Sequence, residues 1–189
     1  MQSIQTVSEN TIYVGASDRR LAKFENLFPI PRGVSYNAYV ILDEKTALLD
    51  TADASVGAQF LENVAAALDG RKLDYLIVDH MEPDHAAMIE AVLVRWPDLR
   101  LVVNAKTLPM LKMYFPTDNA AIDDALVVKE GDTLDLGKHK LTFVMAPMVH
   151  WPEVMMTFDT TTGTLFSADA FGTFGALEGA LFADEVDFA

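Results

Sequence analysis

The chain has 189 residues, 51% of them hydrophobic, which is enough to bury the core of one domain and excludes a disordered chain. Its 28 acidic residues outnumber 14 basic ones for a formal charge of −14, a balance that repels nucleic acid and anionic membrane and favours small or neutral ligands and bound cations. Cysteine is absent, so disulfides, thiolate zinc sites and cysteine-held iron–sulfur clusters are excluded and any metal must be held by nitrogen and oxygen. The N-terminus lacks the basic start and apolar core of a secretion signal, and no apolar run reaches membrane-spanning length, so the expected location is the cytoplasm.

Short strands are predicted over residues 4–7 and 12–14, then over 36–42 and 46–49, where Asp43-Glu44-Lys45 reads as a hairpin turn. Val56, Phe60, Leu61, Val64 and Leu68 recur at helical spacing behind Ser55 as the expected cap, and Asp69-Gly70 ends that helix. Tyr75-Leu76-Ile77-Val78 reads as a buried strand and runs straight into His80-Met81-Glu82-Pro83-Asp84-His85. Pro83 keeps Glu82 out of the helical region, and Asp84 is the expected cap of a helix from His85 to Arg95. A strand over 101–103 and a short helix over 109–114 complete this alternating half. From Ala125 only strands are predicted, over 125–128, 133–136, 140–146, 154–158 and 164–167. Two apolar hairpins, ending at Asp50 and at Asp169, echo each other. Together they suggest two β-rich halves packed sheet on sheet with helices outside.

The run from His80 to His85 places four potential metal ligands within six residues, in a chain that has only four histidines. A strand end leading into a loop can fan such side chains around one point. His150, in Ala146-Pro147-Met148-Val149-His150-Trp151-Pro152, and Asp169 also sit at predicted strand ends, as a site at one edge of a sandwich requires. His139, beside the Gly137-Lys138 turn, reads as solvated and structural, and Asp50 and Asp79 as supporting or fold residues. His80, Glu82 and His150 amount to two imidazoles and one carboxylate, a set suited to non-haem iron with open positions. Asp84 and His85 can hold a second ion, and Asp169 can bridge the pair at the roughly 3.5–4 Å typical of two-metal sites. Zinc tolerates the same ligands.

Five segments together resemble the flavodiiron proteins, specifically their metallo-β-lactamase-like diiron domain. They are Gly33-Val34-Ser35-Tyr36-Asn37-Ala38-Tyr39, Thr46-Ala47-Leu48-Leu49-Asp50-Thr51, His80-Met81-Glu82-Pro83-Asp84-His85, Ala146-Pro147-Met148-Val149-His150-Trp151-Pro152 and Leu165-Phe166-Ser167-Ala168-Asp169-Ala170-Phe171-Gly172. The likeness spans essentially all of residues 1–189. Hydrolases of the wider superfamily carry His-x-His-x-Asp-His, and Glu82 replaces the middle histidine, the substitution that marks the diiron branch. A hard oxygen ligand there suits a redox iron.

The resemblance implies an α/β fold, a four-layer αββα metallo-β-lactamase-like sandwich. It implies two iron ions, one held by His80, Glu82 and His150, the other by Asp84 and His85, with Asp169 between them. It further implies reduction of dioxygen to water or of nitric oxide to nitrous oxide, electrons from FMN, a head-to-tail homodimer, and an electron-donating reductase or rubredoxin-like protein as partner. The family's second iron takes a further histidine beyond Asp169, yet none follows His150, and no flavodoxin-like segment precedes Ala189. The expectation is a C-terminally incomplete domain, inactive alone, with FMN in a region or partner outside the chain. Two alternatives stand beside this reading: an oxygen-sensing diiron module without its own flavodoxin, and a zinc hydrolase, which Glu82 disfavours.

Overall fold

The computed structural model describes residues 3–115 and 120–185. In chain order the strands of its first half are β1 (Gln5–Ser8), β2 (Thr11–Tyr13), β3 (Ala16–Asp18), β4 (Lys23–Phe24), β5 (Phe28–Pro29), β6 (Val34–Tyr36), β7 (Tyr39–Leu42) and β8 (Thr46–Leu49). Helix α1 (Gly57–Leu68) leads to β9 (Tyr75–Ile77), helices α2 (Pro83–Ala86) and α3 (Ile89–Arg95) to β10 (Arg100–Asn104), and α4 (Thr107–Tyr114) and α5 (Ala120–Asp123) to β11 (Leu126–Val128). Four strands follow: β12 (Thr133–Asp135), β13 (Lys140–Met145), β14 (Met155–Asp159) and β15 (Thr164–Phe166).

The larger sheet has seven strands in the order β1-β2-β7-β8-β9-β10-β11, and the smaller has four in the order β12-β13-β14-β15. Strands from β8 to β11 pair in parallel, so each needs a helical crossover, whereas the smaller sheet is antiparallel throughout. Strand β9 and its continuation are buried on both faces, which is why they read as an unbroken apolar run. Leu76 and Val78 join a core with Phe60, Val64, Ile89, Val92 and Leu111 of the helices. Ile77 joins Leu49, Val102, Leu141, Phe143 and Met155 in a separate core between the sheets. Each such aliphatic side chain, fully removed from water, contributes roughly 1.5–3 kcal/mol. Helices, larger sheet and smaller sheet thus form the α, β and β layers of the expected sandwich among the described residues.

Three expectations are corrected by particular contacts. The helix expected from His85 to Arg95 is split into α2 and α3, and Asp84 lies inside α2 rather than at its cap. Thr51 causes the break: its N–H and hydroxyl both donate to the His85 carbonyl, at 2.9 and 2.6 Å, and its hydroxyl accepts from the Met88 N–H at 3.3 Å. Glu82 does stay extended ahead of Pro83, at φ −60° and ψ 145°. The turn entering α1 is capped by Asp53, which accepts from the Ser55 N–H, so Ser55 is not the cap. Helix α1 stops where expected, with Asp69 left-handed at φ 46° and Gly70 at φ 80°. The third correction is that β11 does not belong with the later strands; it closes the larger sheet in parallel with β10.

His139 is not solvated. It is fully buried, and its Nδ1 donates at 2.8 Å to Asp159, which also accepts from the Thr162 hydroxyl at 2.7 Å and the Thr161 N–H at 2.9 Å. Burial pushes the Asp159 carboxyl up, but these donors outweigh it and hold its pKa below the ordinary value. The pair ties the β12–β13 turn to the end of β14. His139→Ala takes one hydrogen bond from a buried carboxylate, so it should lower unfolding stability by about 1–3 kcal/mol. Urea denaturation would measure that loss, and a shift under about 1 kcal/mol would show the pair to be dispensable.

Candidate metal centre

Strand direction brings the candidate ligands to one edge. Asp50, His80 and Asn104 follow or end the parallel strands β8, β9 and β10, at whose carboxyl ends open α/β sheets place their sites. Strands β13 and β15 both run antiparallel to β14, so their carboxyl ends share an edge and deliver His150 and Asp169 to it. Two bonds lock the sheets together there: the Met155 N–H donates to the Asp79 carbonyl at 3.0 Å, and the Thr157 hydroxyl to the Asp79 carboxyl at 2.8 Å.

Two groups of nitrogen and oxygen donors result, each with ligand atoms within 4.8 Å of one another: His80, Glu82, His150 and Asp169; and Asp84, His85 and Asp169. All six candidates therefore converge, and Asp169 belongs to both groups. Its Oδ2 lies 3.3 Å from His80 Nε2 and 3.2 Å from His150 Nε2, while its Oδ1 lies 2.8 Å from His85 Nε2. Glu82 Oε2 sits 3.2 Å from His80 Nε2 and 2.7 Å from His150 Nε2, and Asp84 Oδ2 is 3.6 Å from His85 Nε2. His80 is fully buried, its ring perpendicular to that of Trp151 with centroids 5.3 Å apart, whereas the His150 side chain is 54% exposed.

Two buried carboxylates stand behind the histidines. His80 Nδ1 donates to Glu153 Oε1 at 2.7 Å, and His85 Nδ1 donates to Asp50 Oδ2 at 2.9 Å, which leaves both Nε2 atoms facing the cluster. Asp50 was among the residues expected to support the ligands. Glu153 was not, and neither was Glu25, on the turn between β4 and β5, whose carboxyl is pushed up by burial and by the charge of Glu82. No spacing in the sequence marks either one. His139 belongs to neither group.

The electrostatics favour cations. Burial acts to lower the pKa of His80, but hydrogen bonds to Asp169, Glu153 and Glu82 prevail and raise it to about 11. His85 follows the same balance, with Asp169 and Asp50 raising it well above the usual histidine value. Burial pushes Asp169 up, yet His80 and His85 hold it far below the ordinary carboxylate range. Asp84, with no comparable donor, is raised to about 6, first by burial. Such a donor set, three imidazoles among carboxylates with no sulfur, fits iron or another divalent metal of intermediate hardness. A cavity of about 470 Å³ opens on the groups and is walled by Phe24, Phe28, Tyr36 and Phe174.

Fold and cluster define a class: a metallo-β-lactamase-like sandwich with a carboxylate-rich cluster of potential metal ligands at the sheet edge. The chain belongs to the ODP family of β-lactamase-like domains, the metallo-β-lactamase-like domain of flavodiiron proteins, whose model matches residues 34–188. It is 38% identical over 185 residues to the anaerobic nitric oxide reductase flavorubredoxin of Klebsiella pneumoniae, covering 96% of this chain and 37% of that protein. It superposes on rubredoxin oxygen:oxidoreductase of Desulfovibrio gigas with a TM-score of 0.91 at 31% identity, covering 98% of this chain and 45% of that one. The flavodiiron protein of Giardia intestinalis gives a TM-score of 0.88 at 27% identity, covering 98% and 44%. The chain thus spans less than half the length of these relatives. Among the described residues no helix is long and apolar enough to cross a membrane.

The raised pKa of Asp84 predicts a pH dependence for the metal-free chain. A carboxyl at about 6 in the folded state against an ordinary 3.8 binds its proton more tightly when folded. Its cost is absent below about pH 4, grows as pH rises to about 6 and stays constant above that. Asp84→Asn should therefore stabilise the metal-free chain at pH 7 by up to about 3 kcal/mol, and by little at pH 4. Urea denaturation with a chelator at both pH values would check this, and an equal effect at both would contradict it.

Proposed function

We propose that this chain is the diiron part of an oxidoreductase that reduces dioxygen to water, nitric oxide to nitrous oxide, or both, with electrons from FMN carried outside residues 1–189. The observation that carries this reading is the position of Asp169, one carboxylate oxygen toward His80 and His150 and the other toward His85. His80, Glu82 and His150 would hold one iron, Asp84 and His85 the other, and Asp169 would join the two. Two ferrous ions side by side would supply the electrons and the binding positions for a diatomic substrate. The names of the relatives, one a nitric oxide reductase and one a rubredoxin oxygen:oxidoreductase, support both substrates and an electron-donating reductase or rubredoxin-like partner.

The remaining tasks fall to the protein. Glu153 and Asp50 keep the two buried imidazoles oriented. Phe24, Phe28 and Phe174 line the approach with apolar surface, suited to a small uncharged substrate and poor for water. Glu25 faces Glu82, whose charge adds to partial desolvation in raising the Glu25 carboxyl above its ordinary value. A head-to-tail homodimer, which would bring a partner's FMN to this opening, and a cytoplasmic location complete the proposal.

Iron analysis of the anaerobically purified full-length protein, followed by oxygen and nitric oxide consumption with a reductant, tests this function; no iron and no consumption would reject it. Glu82→Ala and His80→Ala should each empty the first position and cut bound iron by about half, since too few ligands remain to hold an ion at low metal concentration. His139→Ala should keep its iron.

A further inference from the structure

Glu153 takes part in none of the ligand groups, yet it is almost wholly buried, at 1% exposure, next to a cluster already rich in negative charge. Burying a carboxylate is costly unless it is paired and hydrogen-bonded. Its Oε1 accepts from His80 Nδ1 at 2.7 Å and from the Met81 N–H at 3.0 Å, while Oε2 has no hydrogen-bond partner. A purely structural need at this place would be met as well by a neutral acceptor. A negative charge is worth its desolvation where a cation sits on the far side of the imidazole.

The backbone of Glu153 is held from the opposite sheet. Asn104, at the end of β10, donates from Nδ2 to the Glu153 carbonyl at 2.6 Å, and its Oδ1 accepts from the N–H groups of Lys106 and Thr107 at 2.8 and 3.1 Å where α4 begins. Lys106 Nζ donates to the neighbouring Pro152 carbonyl at 3.0 Å. The turn carrying Glu153 is therefore fixed to the helix-bearing sheet. His150, on the same connection, has no Nδ1 partner among the described residues and is exposed.

We propose that Glu153 is a positioning residue of the metal centre: through Nδ1 it aims His80 Nε2 at the ion position shared with Glu82, His150 and Asp169, and Asn104 holds it there. The inference rests on the metal reading of the cluster. It assigns the rigidity of the first position to His80 and leaves His150 as its adjustable ligand. A carboxylate behind an imidazole also raises the donor strength of the opposite nitrogen, and its loss typically weakens metal affinity about 10–100-fold.

Cobalt(II), titrated anaerobically into the metal-free chain and followed by its visible bands, provides a test independent of turnover. Glu153→Leu should weaken one of the two bound equivalents about 10–100-fold and leave the other at wild-type affinity. Glu153→Gln, which keeps the shape and an acceptor but not the charge, should show a smaller loss with shifted bands; if the leucine variant does not fold, this one decides. Wild-type affinity and unshifted bands in the folded variants would overturn the role of Glu153 alone. A wild-type chain that takes up no cobalt would overturn the metal reading, and this inference with it.

Discussion

Asp50, Asp79, Glu82, Asp84, Glu153 and Asp169 meet at one edge of the sandwich, and their mutual repulsion in a medium of low dielectric is the constraint around which this end of the protein is organised. Burial and the nearby Asp50 push the Asp79 carboxyl well up, and the Thr157 hydroxyl donates to it at 2.8 Å. The Asp79 N–H donates to Asp50 at 2.7 Å and the Met81 N–H to Glu153 at 3.0 Å, which offset part of the repulsion through the backbone. The rest falls on His80 and His85. Sites in which carboxylates force imidazoles to accept protons are sites in which a divalent cation would be held strongly, because one ion relieves several contacts at once.

Strand topology makes that crowding possible without fraying the core. Two of these carboxylates leave a strand end just after its last inward-facing apolar side chains: Asp50 after Leu49, and Asp79 after Ile77 and Val78. The sheets are cemented by Leu49, Ile77, Val102, Phe143 and Met155 a few ångströms below the polar edge. Thr51 links the two levels. By taking the His85 carbonyl it breaks the helix that apolar periodicity alone would have continued, and it anchors the ligand-bearing turn to β8. That break could not be seen in the sequence, because the competing partner lies 34 residues away.

The same distinction separates what the sequence made legible at the site from what it hid. His80, Glu82, Asp84 and His85 were visible because four donors fall within six residues behind an apolar strand. His150 and Asp169 were visible because each follows an apolar strand, and strand ends of one direction share an edge. Glu153 was invisible: it is a single glutamate in a turn, and its meaning lies in a histidine 73 residues earlier. His139 was misread for the same reason, since a histidine beside a glycine turn looks solvated until Asp159, 20 residues on, is placed against it. Local pattern reports ligands that arrive in runs. Pairing across sheets is a property of the folded chain.

The two donor groups are unequal in a way that bears on how a substrate would approach. One joins two imidazoles to Glu82; the other has His85 alone with Asp84, and both share Asp169. Burial is graded across them, from the enclosed His80 to His150, whose side chain is 54% exposed, and to Asp169, at 34%. The open side is therefore the side of His150 and Asp169, and the apolar walls of Phe24, Phe28 and Phe174 lead to it. A buried, carboxylate-backed imidazole is a poor candidate to move when a ligand binds, since rotation would strand both its own N–H and a buried charge. The exposed imidazole has no such restraint among the described residues. Adjustment during binding should thus be confined to the solvent-facing half of the centre, with the interior half acting as a fixed template.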